Sequence, residues 1–220
     1  KKSPSKSFLK GANFFSLNKQ RSLKINLSKV LPINHYSRKN LGYLIAMKKN
    51  PEMIIETDDD NLPLKNFFLK KKIDKEYSYH SKKSGWVNVY KKYTKKNIWP
   101  RGFALEKLNS PLTKKFTLLK MKYPIQQGLA DKNPDVDAIY RLTSKLPISF
   151  HSSKNISLGN GSICPFNSQN TGWLKEAFPL MYLPSYCSFR MTDIWRSFIA
   201  QRVAWTCGWS ILFHSSTVIQ

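Results

Sequence analysis

The sequence predicts an α/β domain, a mixed sheet with flanking helices, and three observations carry the prediction. Short apolar, strand-like runs alternate with segments of helical spacing. One such run, Met53-Ile54-Ile55, leads within a few residues into three adjacent aspartates, Asp58-Asp59-Asp60. The chain has 220 residues, 41% of them hydrophobic, with 13 Phe, 10 Tyr and 6 Trp, which is enough apolar mass for one sizeable core.

Taken in order, residues 12–17 read as a short strand. Ser37 is placed to cap a helix from Arg38 to Lys49, with Leu41, Leu44 and Ile45 on one face, and Asn50-Pro51 stops it. Met53 to Ile55 is the kind of continuous apolar run that a buried parallel strand shows. Residues 62–84 are lysine-rich and weakly patterned, and read as a surface excursion within a single domain spanning 1–220. Trp86 to Tyr90 reads as a strand and Asn97 to Gly102 as a turn-rich loop. Val136, Ala138, Tyr140 and Leu142 alternate with the period of a strand, which puts Asp135 and Asp137 together on its opposite face. Residues 151–162, rich in Ser, Asn and Gly, read as a loop. Thr192 is placed to cap a helix from Asp193 to Thr206, with Ile194, Trp195, Phe198 and Ile199 as its apolar face and Arg196 and Arg202 off that face.

Charge narrows the function classes. There are 37 Lys or Arg against 13 Asp or Glu, a net charge of +24, and most of the excess is lysine lying before Tyr123. Such a surface attracts polyanions through counterion release. Lysine is a point charge less suited than arginine to bidentate base reading, and no nucleic-acid-reading motif accompanies it, so specific nucleic-acid binding is not expected. The spacing of Cys164, Cys187 and Cys207 fits neither a zinc site nor a disulfide framework, and the four histidines show no ligand spacing. No apolar run approaches the roughly 18 residues that a membrane helix needs.

Three adjacent carboxylates at the end of a buried strand are costly unless a cation compensates them. A hard divalent ion, Mn²⁺ or Mg²⁺, takes a few carboxylates and completes its shell with phosphate oxygens and water. If the strand runs on, Asp58 and Asp60 point the same way and form the metal pair, with Asp59 turned to the other side. Arg38 and Lys39, at the start of the preceding helix, are placed to assist at the phosphates of a nucleotide, and Asp59 is a further candidate for contact with that cofactor.

Several blocks then carry a family resemblance. These are Leu31 to Leu44 (LPINHYSRKNLGYL), Ile54 to Asn61 (IIETDDDN), Asn97 to Phe103 (NIWPRGF), Pro134 to Thr143 (PDVDAIYRLT), Pro165 to Thr171 (PFNSQNT) and Ser188 to Arg196 (SFRMTDIWR). In this order they resemble the STELLO-like family of glycosyltransferases over most of the chain. The resemblance implies a GT-A-like domain, a Rossmann-type sheet whose Asp-x-Asp motif binds metal and a nucleoside diphosphate sugar, here a UDP-sugar, for transfer to a glycan or protein acceptor. It also implies that the first strand of the sheet precedes Lys1, that relatives continue past Gln220, and that a Golgi-lumen setting would come through an upstream membrane anchor. In such a plan a carboxylate beyond the metal accepts the acceptor's proton, and Asp193 is the candidate, with Arg190 and Arg196 beside it. Asp137, Gln169 and Asn170 are candidates for substrate contact, Trp99 for stacking or core packing, and His214 for a distant metal ligand. Two further readings stay open: a non-catalytic partner of a polysaccharide synthase that keeps the fold, and a basic nucleic-acid-binding protein.

Overall fold

The computed structural model of the chain describes residues 11–67, 75–112 and 116–220. Two short helices, α1 (Leu17–Arg21) and α2 (Leu27–Val30), lead to α3 (Lys39–Met47) and strand β1 (Met53–Thr57). Then follow β2 (Leu62–Pro63), β3 (Lys75–Ser81), β4 (Gly85–Trp86), β5 (Thr117–Lys122) and β6 (Ile125–Asp131). Helix α4 (Ala138–Thr143), β7 (Ile156–Leu158), β8 (Ser162–Ile163), β9 (Asn170–Leu174), helix α5 (Thr192–Thr206) and β10 (Ile211–Ile219) complete the order.

Among the described residues, eight strands form one sheet in the order β1-β9-β6-β10-β7-β3-β5, with β2 added beside β10, and β4 pairs with β8 in a small second sheet. The large sheet is mixed. β10 runs parallel to β6 and β3 parallel to β7, while β1, β9, β7 and β5 meet their other neighbours antiparallel. The predicted class, a mixed sheet with helices against it, is the class observed, and it is consistent with a GT-A-like fold. Its core runs through Ile125, Ile156, Phe166, Trp173 and Phe213, all essentially sealed from solvent. Each such side chain contributes about 1.5–3 kcal/mol through burial. Among the described residues, no helix is long and apolar enough to cross a membrane.

Several local expectations are corrected. Residues 12–15 form no strand, and Ser16 instead caps α1 by accepting from Lys19 N. Ser37 lies inside a 3-10 turn, Tyr36–Arg38, that His35 caps with its ring nitrogen, so α3 starts later than expected. β1 is not an interior parallel strand: it pairs antiparallel with β9 at the end of the sheet. The lysine-rich 62–84 segment gives β2 and β3 to the large sheet, although its Lys70-Lys71-Lys72 triplet lies outside the described residues, as do residues 1–10. Of the strand expected at 86–90, only Trp86 is extended in a ladder, and Val89–Lys92 is a 3-10 turn.

Two corrections bear on function. Residues 138–143 form helix α4, because the Asp137 carboxylate caps it by accepting from Tyr140 N at 2.7 Å, and Leu142 is left 86% exposed. Helix α5 is turned the other way round from its apolar pattern: Asp193, Arg196, Ser197 and Gln201 are buried with Ile194, while Trp195 and Ile199 are half exposed. The polar face goes inward because it finds partners there. Arg196 meets Glu56 of β1, and Gln201 accepts from the backbone N–H of Cys164.

Candidate active site

Strand β1 delivers the acidic cluster to its carboxyl end and then stops. Asn61 N–H donates to Asp58 O at 3.3 Å, so Asp58 to Asn61 is a turn and strand alternation lapses after Thr57. Asp58, Asp59 and Asp60 therefore line one cavity together rather than splitting two against one. That cavity has a volume of about 810 Å³.

Asp58 is held from behind. Lys39 Nζ, at the first residue of α3, lies 2.8 Å from its Oδ1, and the Tyr36 hydroxyl donates to the same oxygen at 2.9 Å. Lys39 also donates to Ser168 O at 3.3 Å, and Tyr36 bonds the Ser168 hydroxyl. Burial works against the Lys39 charge, but the Asp58 carboxylate beside it raises its pKa above the usual lysine value. Asp60 Oδ1 accepts from Gln220 Nε2 at 2.8 Å, and Gln220 accepts in turn from Gln169 Nε2 at 2.7 Å. Both glutamines line the cavity.

Another part of the lining is built on Arg101. Its turn follows from the sequence Pro100-Arg101-Gly102: Gly102 has φ +82°, and a Cβ there would lie 2.5 Å from Ile194 Cγ2, so only glycine lets this loop press against the start of α5. Arg101 then grips two carboxylates. Nε and Nη2 donate to the two oxygens of Asp135 at 2.8 and 2.7 Å, and Nη2 also reaches both oxygens of Asp193, at 3.1 and 2.9 Å. Asp193 accepts further from the backbone N–H of Ser168 and of Ile194. Burial pushes the Asp135 carboxyl above its ordinary pKa against the pull of Arg101. Phe189 and Arg190, from the loop before α5, and Asn133 and Arg141 close the remaining sides.

Of the residues singled out from sequence, Asp58, Asp59, Asp60, Gln169, Arg190 and Asp193 come together around the cavity, with Lys39 on Asp58. Others do not. Arg38 turns to Gln20 Oε1 and Leu31 O. Asp137 is occupied by the α4 cap and the Trp99 indole, and Trp99 itself is 5% exposed and packs edge-on against Tyr140. Asn170 is buried and donates to Leu129 O and Thr217 Oγ1. Arg196 lies behind β1 on Glu56, at 2.7 Å. His214 is buried within β10, where its ring meets Ser215 O.

The sequence reading passed over Tyr36, Arg101 and Phe189. Arg101 had a usable signal in its Pro-Arg-Gly turn, whereas Phe189 looks like an ordinary loop aromatic until the loop is placed.

A cavity with a carboxylate cluster on one wall and arginines on others suits a ligand that joins phosphate to hydroxyl groups. Among the described residues, no group of three or more His, Cys, Asp or Glu is arranged as a metal cage. An ion shared with a diphosphate needs only one or two carboxylates, and the donor chemistry of Asp58 to Asp60 fits that lesser requirement.

Two known proteins of Arabidopsis thaliana are similar to this chain. "Probable glycosyltransferase STELLO2" is 31% identical over 232 aligned residues, covering 96% of this chain and 30% of that protein. "Probable glycosyltransferase STELLO1" is 28% identical over 230 aligned residues, covering 95% and 30%. The chain thus spans under a third of the length of these curated relatives. No family model matches it. The similarity runs through nearly the whole chain and bears out the resemblance read from the sequence blocks.

Proposed function

Taking the chain as STELLO-like, we propose that its cavity transfers a sugar from a nucleoside diphosphate sugar to a hydroxyl acceptor, with Mn²⁺ or Mg²⁺ shared between the Asp58–Asp60 turn and the diphosphate. The observation that carries this reading is the convergence of all three aspartates on one cavity with Arg101, Arg141 and Arg190. A bound ion would supply charge neutralisation for the departing diphosphate. The chain's own part is to present Asp58 in fixed orientation through Lys39 and Tyr36, to tie Asp60 to Gln220, and to set arginine donors across the cavity.

An acceptor hydroxyl must also lose its proton, and two carboxylates on Arg101 are at hand. Asp193 accepts from Arg101, Ser168 and Ile194, whereas Asp135 takes its side-chain hydrogen bonds from Arg101. A carboxylate offers about four lone-pair sites, so Asp135 keeps more capacity toward the cavity. Burial also raises its pKa above the ordinary carboxylate value, toward that of a better base. The base role first expected of Asp193 is therefore assigned to Asp135, with Asp193 as a positioning residue for Arg101.

Calorimetric titration of UDP with and without Mn²⁺ tests the reading. The Asp58→Ala/Asp60→Ala double variant is expected to lose metal-dependent binding while its circular dichroism spectrum stays folded. Equal affinity in the double variant and the parent would end the metal-site reading. Asp135→Asn is expected to lower turnover about 10²- to 10⁴-fold with little change in nucleotide affinity. A larger turnover loss in Asp193→Asn would return the base role to Asp193.

A further inference from the structure

One side chain in the cavity does not fit its surroundings. Phe189 is 51% exposed in a cavity lined, apart from it and Tyr36, by carboxylates, arginines and amides. Isolated exposed apolar residues are common and mobile ones need no explanation. Phe189 is neither isolated nor loosely held. Its ring meets the edge of Tyr36 at 5.4 Å and 63°, and of His35 at 6.3 Å and 82°. The backbone on either side is pinned: His35 Nε2 bonds Cys187 O at 3.1 Å, and Arg101 Nη1 donates to Arg190 O. Ser188 O accepts from Met191 N at 2.9 Å, closing the turn that carries the ring.

Tyr36 links this ring to the acidic cluster, since its hydroxyl donates to Asp58 Oδ1 while its ring supports Phe189. Tyr36 thus sets the Phe189 ring beside the acidic cluster in the same cavity. The aromatic contacts are of the edge type, half of the Phe189 surface stays exposed at the cavity, and an exposed aromatic ring there recognises the face of another ring.

We propose that Phe189 is a stacking platform for a ring of the bound ligand. The inference rests on the nucleoside diphosphate sugar reading above. Two rings of such a ligand present that chemistry, the nucleobase and the transferred sugar, and the arms of the test separate them. His35, Tyr36 and Arg101 are its positioning residues: they fix the loop and the ring, and the ring itself makes the contact.

The experiment measures affinity for three probes with Mn²⁺, on the parent chain and on Phe189→Ala, Phe189→Leu and Phe189→Trp. The probes are inorganic pyrophosphate, which has no ring, UDP, and UDP-glucose. Base–aromatic stacking is worth about 1–3 kcal/mol, so Phe189→Ala is expected to weaken a stacked probe roughly 5- to 150-fold and leave pyrophosphate unchanged. Phe189→Leu, which keeps apolar bulk against Tyr36 and His35, should show the same loss, and Phe189→Trp should restore binding. A parallel loss for UDP and UDP-glucose assigns the platform to the base; a loss for UDP-glucose alone assigns it to the sugar. If Phe189→Leu binds UDP and UDP-glucose as the parent does, or loses pyrophosphate equally, the platform is overturned while the diphosphate reading stands. If the parent binds none of the three probes, the diphosphate reading fails and the platform falls with it.

Discussion

Two arginine–carboxylate assemblies meet at helix α5, and they do opposite things with the same chemistry. On the inner side, Arg196 and Glu56 are sealed, with side-chain exposures of 1% and 2%, and the pair is flanked by Tyr43 and the Trp173 indole. On the outer side, Arg101 holds Asp135 and Asp193 with Arg101 and Asp135 each still 14% exposed toward the cavity. Asp193 and Arg196 are three residues apart on one helix, so one turn of α5 touches both assemblies. The inner pair locks the helix to β1, and the outer trio uses that fixed helix end as a wall. Burial decides the difference: the sealed pair lies out of a ligand's reach, and the more open one borders the cavity.

The comparison is broken most directly at Arg196. Arg196→Ala strands the Glu56 charge in the core, and a loss of about 3–5 kcal/mol in unfolding free energy is expected from denaturant titration. The double change Glu56→Gln/Arg196→Met is expected to recover a large part of it, because the stranded charge is gone. A loss below about 1 kcal/mol in the single variant would show that water reaches the pair.

Arg101→Ala should have a smaller effect on stability and a larger one on ligand affinity. It leaves Asp135 and Asp193 facing one another beside an open cavity, where water can solvate them in part; about 1–3 kcal/mol is expected. UDP affinity with Mn²⁺ should fall at least tenfold, since the Asp193 wall and the Phe189 loop both lose an anchor. Stability lost without any change in affinity would make the outer trio a second structural lock.

Asp137→Ala removes the α4 cap and is expected to cost about 1 kcal/mol without changing nucleotide affinity, as read by thermal melting alongside calorimetry. Smallest of all, Ile199→Ser on the exposed face of α5 should stay within about 0.5 kcal/mol of the parent. A larger loss there would mean that this face packs against something after all.

How much of this was legible in the sequence differs between the two assemblies. The acidic strand end was legible, because a short apolar run followed at once by three aspartates states a strand end with charge to compensate, but the turn that brings Asp59 to the same cavity was not. The α/β class was legible from alternating elements, and the mixed sheet from the family resemblance. The orientation of α5 was not: apolar periodicity assigns Trp195 and Ile199 to the core, and what reverses the helix is a long-range partner, Glu56, that spacing cannot reveal. The 136–142 segment misled in another way. Its two-residue alternation is genuine, but the Asp137 cap three residues before Tyr140 N outweighs it. Arg101 and Phe189 reach the cavity from loops, where position depends on one glycine turn and two backbone anchors rather than on any periodic pattern.

The bond from Gln220 to Asp60 joins residues 160 apart in sequence, and β10, which carries the chain toward it, lies in the middle of the sheet between β6 and β7. Pairings of such long range form late, because the intervening chain must be ordered before they return any stabilisation. Asp58 has near neighbours in Tyr36 and Lys39 to hold it, whereas Asp60 gains its Gln220 partner only when β10 docks. The two ends of the acidic turn are thus fastened by contacts of very different range, and the geometry that would let them act together is complete only with the later one.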